Sequence, residues 1–357
     1  MNSFPKDDNS ADLIEENLSI EVTTDCNSLC PHCFARAGIS EHASMSLDLA
    51  KAISAEGYAA GYRRFHVTGG EPLLWAGLFD LLDDAFQTGY ETVFLNTNGT
   101  LLTGDVSRRL AEYDGLTISV SLQGSKTLHD HVRGAGSYEQ TMRGIEKALD
   151  AGISLIIFTT TGRSLLPELA GFVDETYKRF PDILSLTVIQ LIRVRNDTVD
   201  LSEELLSPED FIRLVRTAAL VNLYGNRTDV LYAPLANLAA KLMAMPWIPR
   251  SQPLYTEGSM MVRANRDITL SHAVRDDFFR FEPGMIRKVL TSGPYRKAVE
   301  PDKTTCPSCK YVELCLKNGL LRPAGWFMDM NPQVPYCRRV LERLALQGSE
   351  SVHNLNW

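Results

Sequence analysis

All seven cysteines of the 357-residue chain fall into two groups, and each group has the spacing of a metal-binding site. The first group is one short loop with the spacing C-x3-C-x2-C, formed by Cys26, Cys30 and Cys33. The second group has the spacing C-x2-C-x5-C-x21-C, and its members are Cys306, Cys309, Cys315 and Cys337. Thiolate is the usual protein ligand of iron–sulfur clusters. Three thiolates leave one iron of a cubane cluster open, whereas four close it, so the spacing predicts one reactive and one closed cluster.

The overall composition predicts a folded, cytoplasmic protein. Hydrophobic residues make up 44% of the chain, which is enough to build a buried core. The formal net charge of −8 argues against sequence-independent binding to nucleic acid, which requires a basic surface. The longest apolar runs are short and the first residues are polar, so neither a membrane span nor a secretory signal is expected. In the cytoplasm thiols stay reduced, which favours metal binding over disulfides.

A strand–helix rhythm surrounds the first cysteine group. Alternating apolar residues predict strands at 19–24, 64–68, 92–96, 116–122, 153–159 and 184–192, with helices between them. Six βα units in series predict a mostly parallel sheet with right-handed crossovers. If the sheet curls into a full or partial barrel, its chemistry lies on the loops that follow the strands. The cysteine loop follows the first of these strands directly.

Two helix starts carry sequence signals for capping. Ser137 is followed three residues later by Gln140, which predicts a capping box with Ser137 as the cap. Ser207 precedes Pro208, which predicts a helix that is capped by the serine and begins at the proline.

The strand–helix rhythm ends near residue 225, and the last four cysteines come after it. Proline, glycine and irregular sequence replace the rhythm from about residue 250. We therefore predict a lead-in at 1–17, a barrel at 18–225, a helical linker at 226–253, a small cysteine-rich domain at 254–345 and a tail at 346–357.

The first cysteine loop resembles the signature loop of the radical S-adenosylmethionine (SAM) superfamily. In that family the open iron chelates the amino and carboxylate groups of SAM. The alternative is a zinc site, which normally takes four ligands, and His32 inside the loop is a candidate for the fourth. Plain buried cysteines are the remaining alternative.

The loop after the second predicted strand reads Gly69-Gly70-Glu71-Pro72 and matches the family's GGEP motif. In the family, the backbone and the glutamate of this motif hold the amino group of SAM. Glycines allow the backbone to approach a ligand closely. An ordinary Gly-Pro turn into a helix is the alternative for this stretch alone.

The loops after the third and fourth predicted strands are also similar to the family's motifs. The resemblance implies a SAM contact at Asn98, and a contact of Ser121 with the SAM ribose or carboxylate. Gln123 departs from the family pattern, which often has aspartate there. In segment 129–133, Arg133 is expected to meet the SAM carboxylate, and the two histidines are expected to be surface or capping residues. The joint order of these motifs implies the partial (β/α)6 barrel of the radical SAM fold, similar to a TIM barrel.

The second cysteine group resembles the C-terminal SPASM domain of the same superfamily. A full SPASM domain holds two auxiliary [4Fe-4S] clusters on seven or eight cysteines, and this chain has fewer. Gly319 and Ser271 stand where the family pattern has cysteines, and Arg266 stands where it has a glycine. The resemblance therefore implies one auxiliary [4Fe-4S] cluster, held by Cys306, Cys309, Cys315 and Cys337. A structural zinc site is the alternative.

The resemblance implies an oxidoreductase that uses two [4Fe-4S] clusters and SAM. A reductant such as flavodoxin or ferredoxin would reduce the first cluster, and cleavage of SAM would yield a 5′-deoxyadenosyl radical that takes hydrogen from a substrate. Cofactors of this kind supply the reactivity, and the protein positions the reactants. No catalytic acid or base can be named from the sequence.

Enzymes with this layout often modify ribosomally synthesised peptides, so a peptide that receives a carbon–carbon or thioether crosslink is the expected substrate. The alternative is a small metabolite such as a sugar, a nucleoside or a cofactor precursor. A redox or scaffold protein without catalysis is a third class, which the GGEP motif argues against. The stretch before the first strand is short, so a peptide substrate is expected to need a separate leader-peptide recognition protein.

Overall fold

The computed structural model describes residues 14–33, 35–38, 42–192, 200–231, 235–246, 248, 251–252, 255–272, 279–300, 306–313 and 336–353. The strands are β1 (Ile14–Glu21), β2 (Tyr62–Thr68), β3 (Thr92–Thr97), β4 (Leu116–Ser121), β5 (Ser154–Thr161), β6 (Ser185–Gln190), β7 (Thr228–Leu231), β8 (Ser251–Gln252), β9 (Met260–Val262), β10 (Asp267–Thr269) and β11 (Phe279–Arg280). The α-helices are α1 (Leu47–Ala60), α2 (Leu78–Thr88), α3 (Gly104–Leu110), α4 (Lys126–Arg133), α5 (Ser137–Asp150), α6 (Leu169–Arg179), α7 (Pro208–Leu223), α8 (Ala236–Leu242), α9 (Met285–Thr291), α10 (Gly293–Val299) and α11 (Tyr336–His353).

One sheet of 11 strands organises the described chain. Strands β1 to β8 lie side by side in chain order, and each pairs in parallel with the next. On the other side of β1, β9 pairs with it in parallel, and β10 and β11 continue the sheet antiparallel. The segment after residue 255 is therefore joined to the barrel sheet beside the strand that leads into the cysteine loop.

The six predicted strands and the α/β fold class are confirmed, and the sheet extends further than predicted. The stretch expected to be a helical linker, 226–253, contains β7 and β8 as well as α8. The lead-in expected at 1–17 overlaps β1, which begins at Ile14. These added strands are short, and a period of two residues cannot be recognised in two to four residues.

The two faces of the parallel sheet have different surroundings. Side chains alternate between the faces of a strand. In β5, Leu155 and Ile157 belong to the hydrophobic core, whereas Phe158 and Thr160 line a cavity on the opposite face. The core therefore lies between sheet and helices, and the inner face is left for a site.

The two helix-start predictions have different outcomes. Ser207 caps α7 in a capping box with Asp210, and Pro208 opens the helix, as expected. At α5 the capping box is wrong: Ser137 is already helical, and Gly136 at the cap position makes no side-chain bond. The Asp130 carboxylate accepts a bond of 2.8 Å from the Tyr138 amide instead, so a side chain of the preceding helix replaces the predicted cap.

Within the described ranges, no helix combines the length and the apolar character needed to cross a bilayer.

Candidate active site

A cavity of about 180 Å³ lies at the C-terminal ends of the parallel strands. Thr68 of β2, Thr97 of β3 and Thr160 of β5 mark this end of the sheet along its wall. The structure brings most of the predicted site residues to the same wall: Cys26, Cys30, Cys33, Gly69, Gly70, Asn98, Ser121 and Arg133. Parallel strands deliver their following loops to one edge of a sheet, which explains why motifs far apart in sequence meet here.

The three thiols of the cysteine loop face this cavity together. Cys30 is buried at 8% exposure, Cys26 and Cys33 are half-buried, and the Cys33 amide closes a turn onto the Cys30 carbonyl at 3.1 Å. Burial raises the pKa of Cys26 to about 11 and also raises the pKa of Cys33. A bound metal ion would lower these pKa values again, because it stabilises the thiolate form of a coordinating cysteine. Three thiols that converge from one loop fit three irons of a cubane cluster and leave a fourth iron open.

Gly69 and Gly70 bring the loop after β2 into direct contact with the start of the cysteine loop. The Gly70 amide donates to the Thr23 carbonyl at 2.7 Å, and the next amide donates to the Asp25 carbonyl at 2.8 Å. A Cβ atom added to Gly70 would lie 2.2 Å from the Asp25 oxygen, and one added to Gly69 would lie 2.6 Å from the Thr23 oxygen. The glycines are therefore required by a close approach to the protein's own backbone, and their approach to a ligand stays a prediction.

Glu71 is fully buried and bonded to protein on both oxygens. One oxygen accepts from the Leu73 amide at 3.2 Å and from the Thr97 hydroxyl at 2.8 Å, and the other accepts from the Asn98 amide at 2.7 Å. Burial raises its pKa, while these bonds and the charge of Arg133 oppose the rise. Glu71 thus ties the loop after β2 to the loop after β3. Pro72 opens a single 3-10 turn behind it, and direct SAM contacts of Glu71 and Pro72 stay predictions.

A small hydrogen-bonded ring joins the cysteine loop to the loop after β3. The Asn98 side-chain Nδ2 donates to Oδ1 of Asn27 at 2.7 Å, and the Asn27 side-chain Nδ2 donates to the Thr100 hydroxyl at 2.9 Å. The Thr100 hydroxyl in turn donates to the side-chain Oδ1 of Asn98 at 2.7 Å. Asn98 therefore positions the cysteine loop, whatever contact it makes with a ligand.

Gln123, which departs from the family pattern, continues the pairing of β4 with β5. Its amide group donates to the Thr160 carbonyl, and its oxygen accepts from the Thr160 amide at 3.1 Å. The Gln123 backbone amide donates to Nδ1 of His129 at 3.1 Å. His129 is at 0% exposure, so the expectation of a surface residue is wrong, and it does not cap a helix either, because Ser125 caps α4. The exposed His131 meets the surface expectation.

Arg133 supplies a positive charge to the cavity. It is the last residue of α4 and is half-buried, and its Nε atom has no hydrogen-bond partner among the described residues. Burial, followed by the charge of Arg133, lowers the pKa of His32 to about 3. His32 is therefore neutral and lines the same cavity, so it stays available as the alternative zinc ligand.

The second cysteine group is described only in part. Cys306 lies in a 3-10 turn (Cys306–Ser308), Cys309 follows it, and Cys337 lies in α11. Cys309 and Cys337 are half-buried and pack against the hydrophobic core. Cys315 and Gly319 lie outside the described residues. A cluster on these four cysteines stays a prediction.

The turn between β9 and β10 contains Arg266, and two positions that depart from the SPASM pattern lie in and after it. Arg266, at the family's glycine position, has φ of +76°, a conformation in which glycine is favoured. The Ser271 hydroxyl, at the position of a family cysteine, is buried without a partner among the described residues. His272 follows it and lines the cavity, a site residue that the sequence analysis did not identify. The one sequence signal that could have identified His272 is its position directly after Ser271, where the family pattern has a cysteine.

Comparison with known proteins agrees with the geometry. The family model described as the Radical SAM superfamily matches residues 20–169, which include the cysteine loop and the following SAM motifs. An AdoMet-dependent heme synthase of Oleidesulfovibrio alaskensis is 39% identical over 153 residues, covering 42% of this chain and 39% of the relative. The mycofactocin maturase MftC of Mycolicibacterium smegmatis is 30% identical over 139 residues, covering 38% and 35%. The chain thus matches about two-fifths of the length of these curated relatives.

Solved structures share the fold over a longer stretch. Native anSMEcpe with bound AdoMet superposes with a TM-score of 0.70 at 18% identity, covering 95% of this chain and 98% of that one. SuiB of Streptococcus suis bound to S-adenosylmethionine gives a TM-score of 0.64 at 16% identity, covering 84% and 71%. At these identities the likeness shows the fold alone. Residues 20–169 thus match the Radical SAM superfamily model, and the chain is similar in sequence to the mycofactocin maturase MftC.

Proposed function

We propose that this protein is a radical SAM enzyme that binds a [4Fe-4S] cluster at Cys26, Cys30 and Cys33 and SAM in the adjoining cavity. The observation that carries the proposal is the meeting of three thiols, the Gly69–Gly70 contact and Arg133 around one cavity. When bound, the reduced cluster and SAM supply a 5′-deoxyadenosyl radical that takes a hydrogen atom from a substrate.

The chain's own residues bind and orient these groups. The cysteine loop supplies three ligands and leaves one coordination position for SAM. Arg133 lines this cavity, and we expect its guanidinium to pair with the SAM carboxylate in a strong charge-assisted contact. Phe158 and Ile189 give the cavity an apolar wall that limits water near the reacting carbon.

The proposal is tested by anaerobic incubation with SAM and dithionite, followed by detection of 5′-deoxyadenosine. The wild type should release it and Cys30→Ala should not, because the cluster then lacks a ligand. Release by a folded Cys30→Ala variant that equals the wild type would reject the site. Circular dichroism of both proteins controls for folding.

We propose a peptide as the substrate, to be crosslinked or otherwise modified. Two findings support this: the similarity to the maturase MftC, and a fold shared over most of the chain with a structure of SuiB bound to the precursor peptide SuiA. A small metabolite is the second candidate, because the heme synthase is 39% identical, more than MftC at 30%.

A deuterated cell extract distinguishes the two substrate classes. The extract is separated into a peptide fraction and a free-metabolite fraction, and each is incubated with the reduced enzyme and unlabelled SAM. Hydrogen abstraction transfers deuterium to 5′-deoxyadenosine, which mass spectrometry detects. Transfer from the peptide fraction supports the first candidate, and transfer from the metabolite fraction alone supports the second.

We further propose one auxiliary [4Fe-4S] cluster on Cys306, Cys309, Cys315 and Cys337. A cluster closed by four thiolates has no free iron for the substrate, so its role is electron transfer or structural support. Iron counting on anaerobically purified protein should give about eight irons per chain, whereas about four irons with one zinc would favour the zinc alternative. Cys309→Ala should reduce product formation more than uncoupled SAM cleavage.

The proposed partners follow from this chemistry. A flavodoxin or ferredoxin would supply electrons, and a separate recognition protein would present the leader of a peptide substrate. Free thiols and iron–sulfur ligation support a reducing compartment, the cytoplasm.

A further inference from the structure

His272 comes from a different part of the chain than the other titratable groups on the cavity wall. Among the described residues, the remaining titratable groups there are those of the cysteine loop and Arg133. His272 comes from the segment that follows β10, far along the chain from them. The motifs expected to bind the cofactor do not include it.

The backbone of His272 is held in place by the neighbouring hairpin. Arg263, which follows β9 and is 7% exposed, donates from Nη2 to the His272 carbonyl at 3.0 Å. The Arg263 amide closes the β9–β10 turn onto the Asp267 carbonyl at 2.9 Å. The imidazole is therefore carried on a fixed element.

A second histidine lies behind the ring. The ring centres of His272 and His66 are 5.7 Å apart and tilted by 52°. His66 is held by a 3.0 Å hydrogen bond between its Nδ1 and the Ser19 hydroxyl, on the inner face of the barrel. The side of the ring next to β1 and β2 is thus occupied.

The Nε2 atom of His272 is buried without a hydrogen-bond partner among the described residues. A buried polar group left unpaired is unfavourable, so native folds rarely keep one without a reason. Because the same side chain lines the cavity, a molecule that enters the cavity can supply the missing partner.

The surroundings decide which chemical group this partner carries. Burial, the neighbouring His66 and the charge of Arg263 all lower the pKa of His272, so its ring is neutral. Arg133 on the same cavity adds a second positive charge. Close to His272, an amide or a carboxylate group therefore fits better than a second cation.

We propose that His272 is a substrate-contacting residue whose Nε2 atom hydrogen-bonds an amide or carboxylate group of a peptide substrate. This inference rests on the proposed function, because it places a peptide in the SAM cavity. It assigns to the β9–β10 segment a direct part in substrate recognition.

The test begins with peptides selected from a random library displayed on phage, against anaerobic holoenzyme loaded with SAM. The selected peptides are then titrated by fluorescence anisotropy. His272→Phe keeps a planar ring but removes both nitrogens, and it should raise the peptide Kd about tenfold or more. His272→Gln, which places an amide nitrogen near the same point, should recover part of the affinity. His131→Phe makes the same change at an exposed histidine and should leave the Kd unchanged.

A second readout separates the possible failures. Uncoupled release of 5′-deoxyadenosine, measured without peptide in wild type, His272→Phe and His131→Phe, shows whether a change at either histidine reaches the SAM site. Equal peptide affinity of the two proteins would overturn the role of His272 and leave the proposed function standing. Loss of uncoupled cleavage in His272→Phe would overturn it too, because His272 would then act on the SAM site. A library without binding peptides would reject the peptide substrate and this inference with it.

Discussion

At the scale of single residues, the geometry of the cysteine loop depends on a backbone contact that tolerates no side chain. The loop after β2 donates two amides to carbonyls of segment 23–25, directly before the first cysteine. This contact fixes the distance between the ligands of the proposed cluster and the loop expected to hold SAM. Adding one methyl group at Gly70 tests the role of this contact.

Gly70→Ala should disrupt the site while the barrel stays folded. Its Cβ would lie 2.2 Å from the Asp25 oxygen, so the two loops must separate. We expect SAM binding, measured by equilibrium dialysis under anaerobic conditions, to weaken about tenfold or more. Gly171→Ala is the matched control, because Gly171 lies exposed in α6 with open space around it. That change should leave SAM binding intact and stabilise the fold by up to about 1 kcal/mol. Unchanged SAM binding in Gly70→Ala would contradict the contact's role.

At the scale of elements, Gln123 shows how a departure from the family pattern is compensated. β4 ends at Ser121, and the Gln123 side chain then pairs with both backbone groups of Thr160, as a further strand residue would. Thr160 lines the cavity, so this side chain positions the cavity wall.

Restoring the family's aspartate should therefore destabilise this protein. In Gln123→Asp the side chain is shorter and cannot donate, so the Thr160 carbonyl loses its partner. We expect the free energy of unfolding to fall by about 1–3 kcal/mol, measured by urea denaturation. Gln140→Asp, on the exposed face of α5, is the control and should change it less. A Gln123→Asp variant as stable as the wild type would show that the amide pairing contributes nothing.

The sequence predicted the long elements and missed the short ones for the same physical reason. Strands β1 to β6 have six to eight residues, enough for an apolar strand pattern to be recognised. β7 to β11 have two to four residues, and β9 is stabilised by pairing with β1, which is distant in sequence. Sequence position alone could not place β9 beside β1.

The site shows the same division between local and long-range information. Gly70 and Arg133 were predicted because a local motif carries them, and both reach the cavity. His272 was not predicted, since only the pairing of β9 with β1 brings it to the cavity. His129 was misjudged as a surface residue because its burial depends on packing against the loop after β4 and against Tyr138.

At the scale of the whole molecule, buried histidines make the fold sensitive to acid. Burial lowers the pKa of His66 to about 4, lowers that of His129 to about 3, and lowers that of His272 well below its ordinary value. In the unfolded chain histidine titrates near pH 6.5. The stabilisation from the neutral rings is therefore complete above that pH and is lost progressively as the pH falls towards 4, because the unfolded state binds more protons.

The variant His129→Gln tests how much the protonation of one buried histidine contributes to this pH dependence of stability. In the wild type, Nδ1 of His129 accepts a hydrogen bond from the backbone N–H of Gln123. If Nδ1 were protonated, it could no longer accept this bond, and its own hydrogen would clash with that of the Gln123 N–H. Between pH 6.5 and 5.5 the wild type should lose about 1 kcal/mol more stability than His129→Gln, measured by urea denaturation of anaerobic holoprotein. His131→Gln, at an exposed position, should lose as much as the wild type. Equal losses in wild type and His129→Gln would contradict a buried neutral ring.

The central claim is that the cysteine loop holds a cluster with one iron open to SAM. Electron paramagnetic resonance of dithionite-reduced protein, recorded with and without SAM, tests it most directly. We predict a [4Fe-4S]⁺ signal that changes on addition of SAM in wild type and in Cys309→Ala. In Cys30→Ala, the signal of the cluster in the cysteine loop should be absent. A wild-type signal that SAM leaves unchanged, or no such signal in Cys309→Ala, would contradict the account.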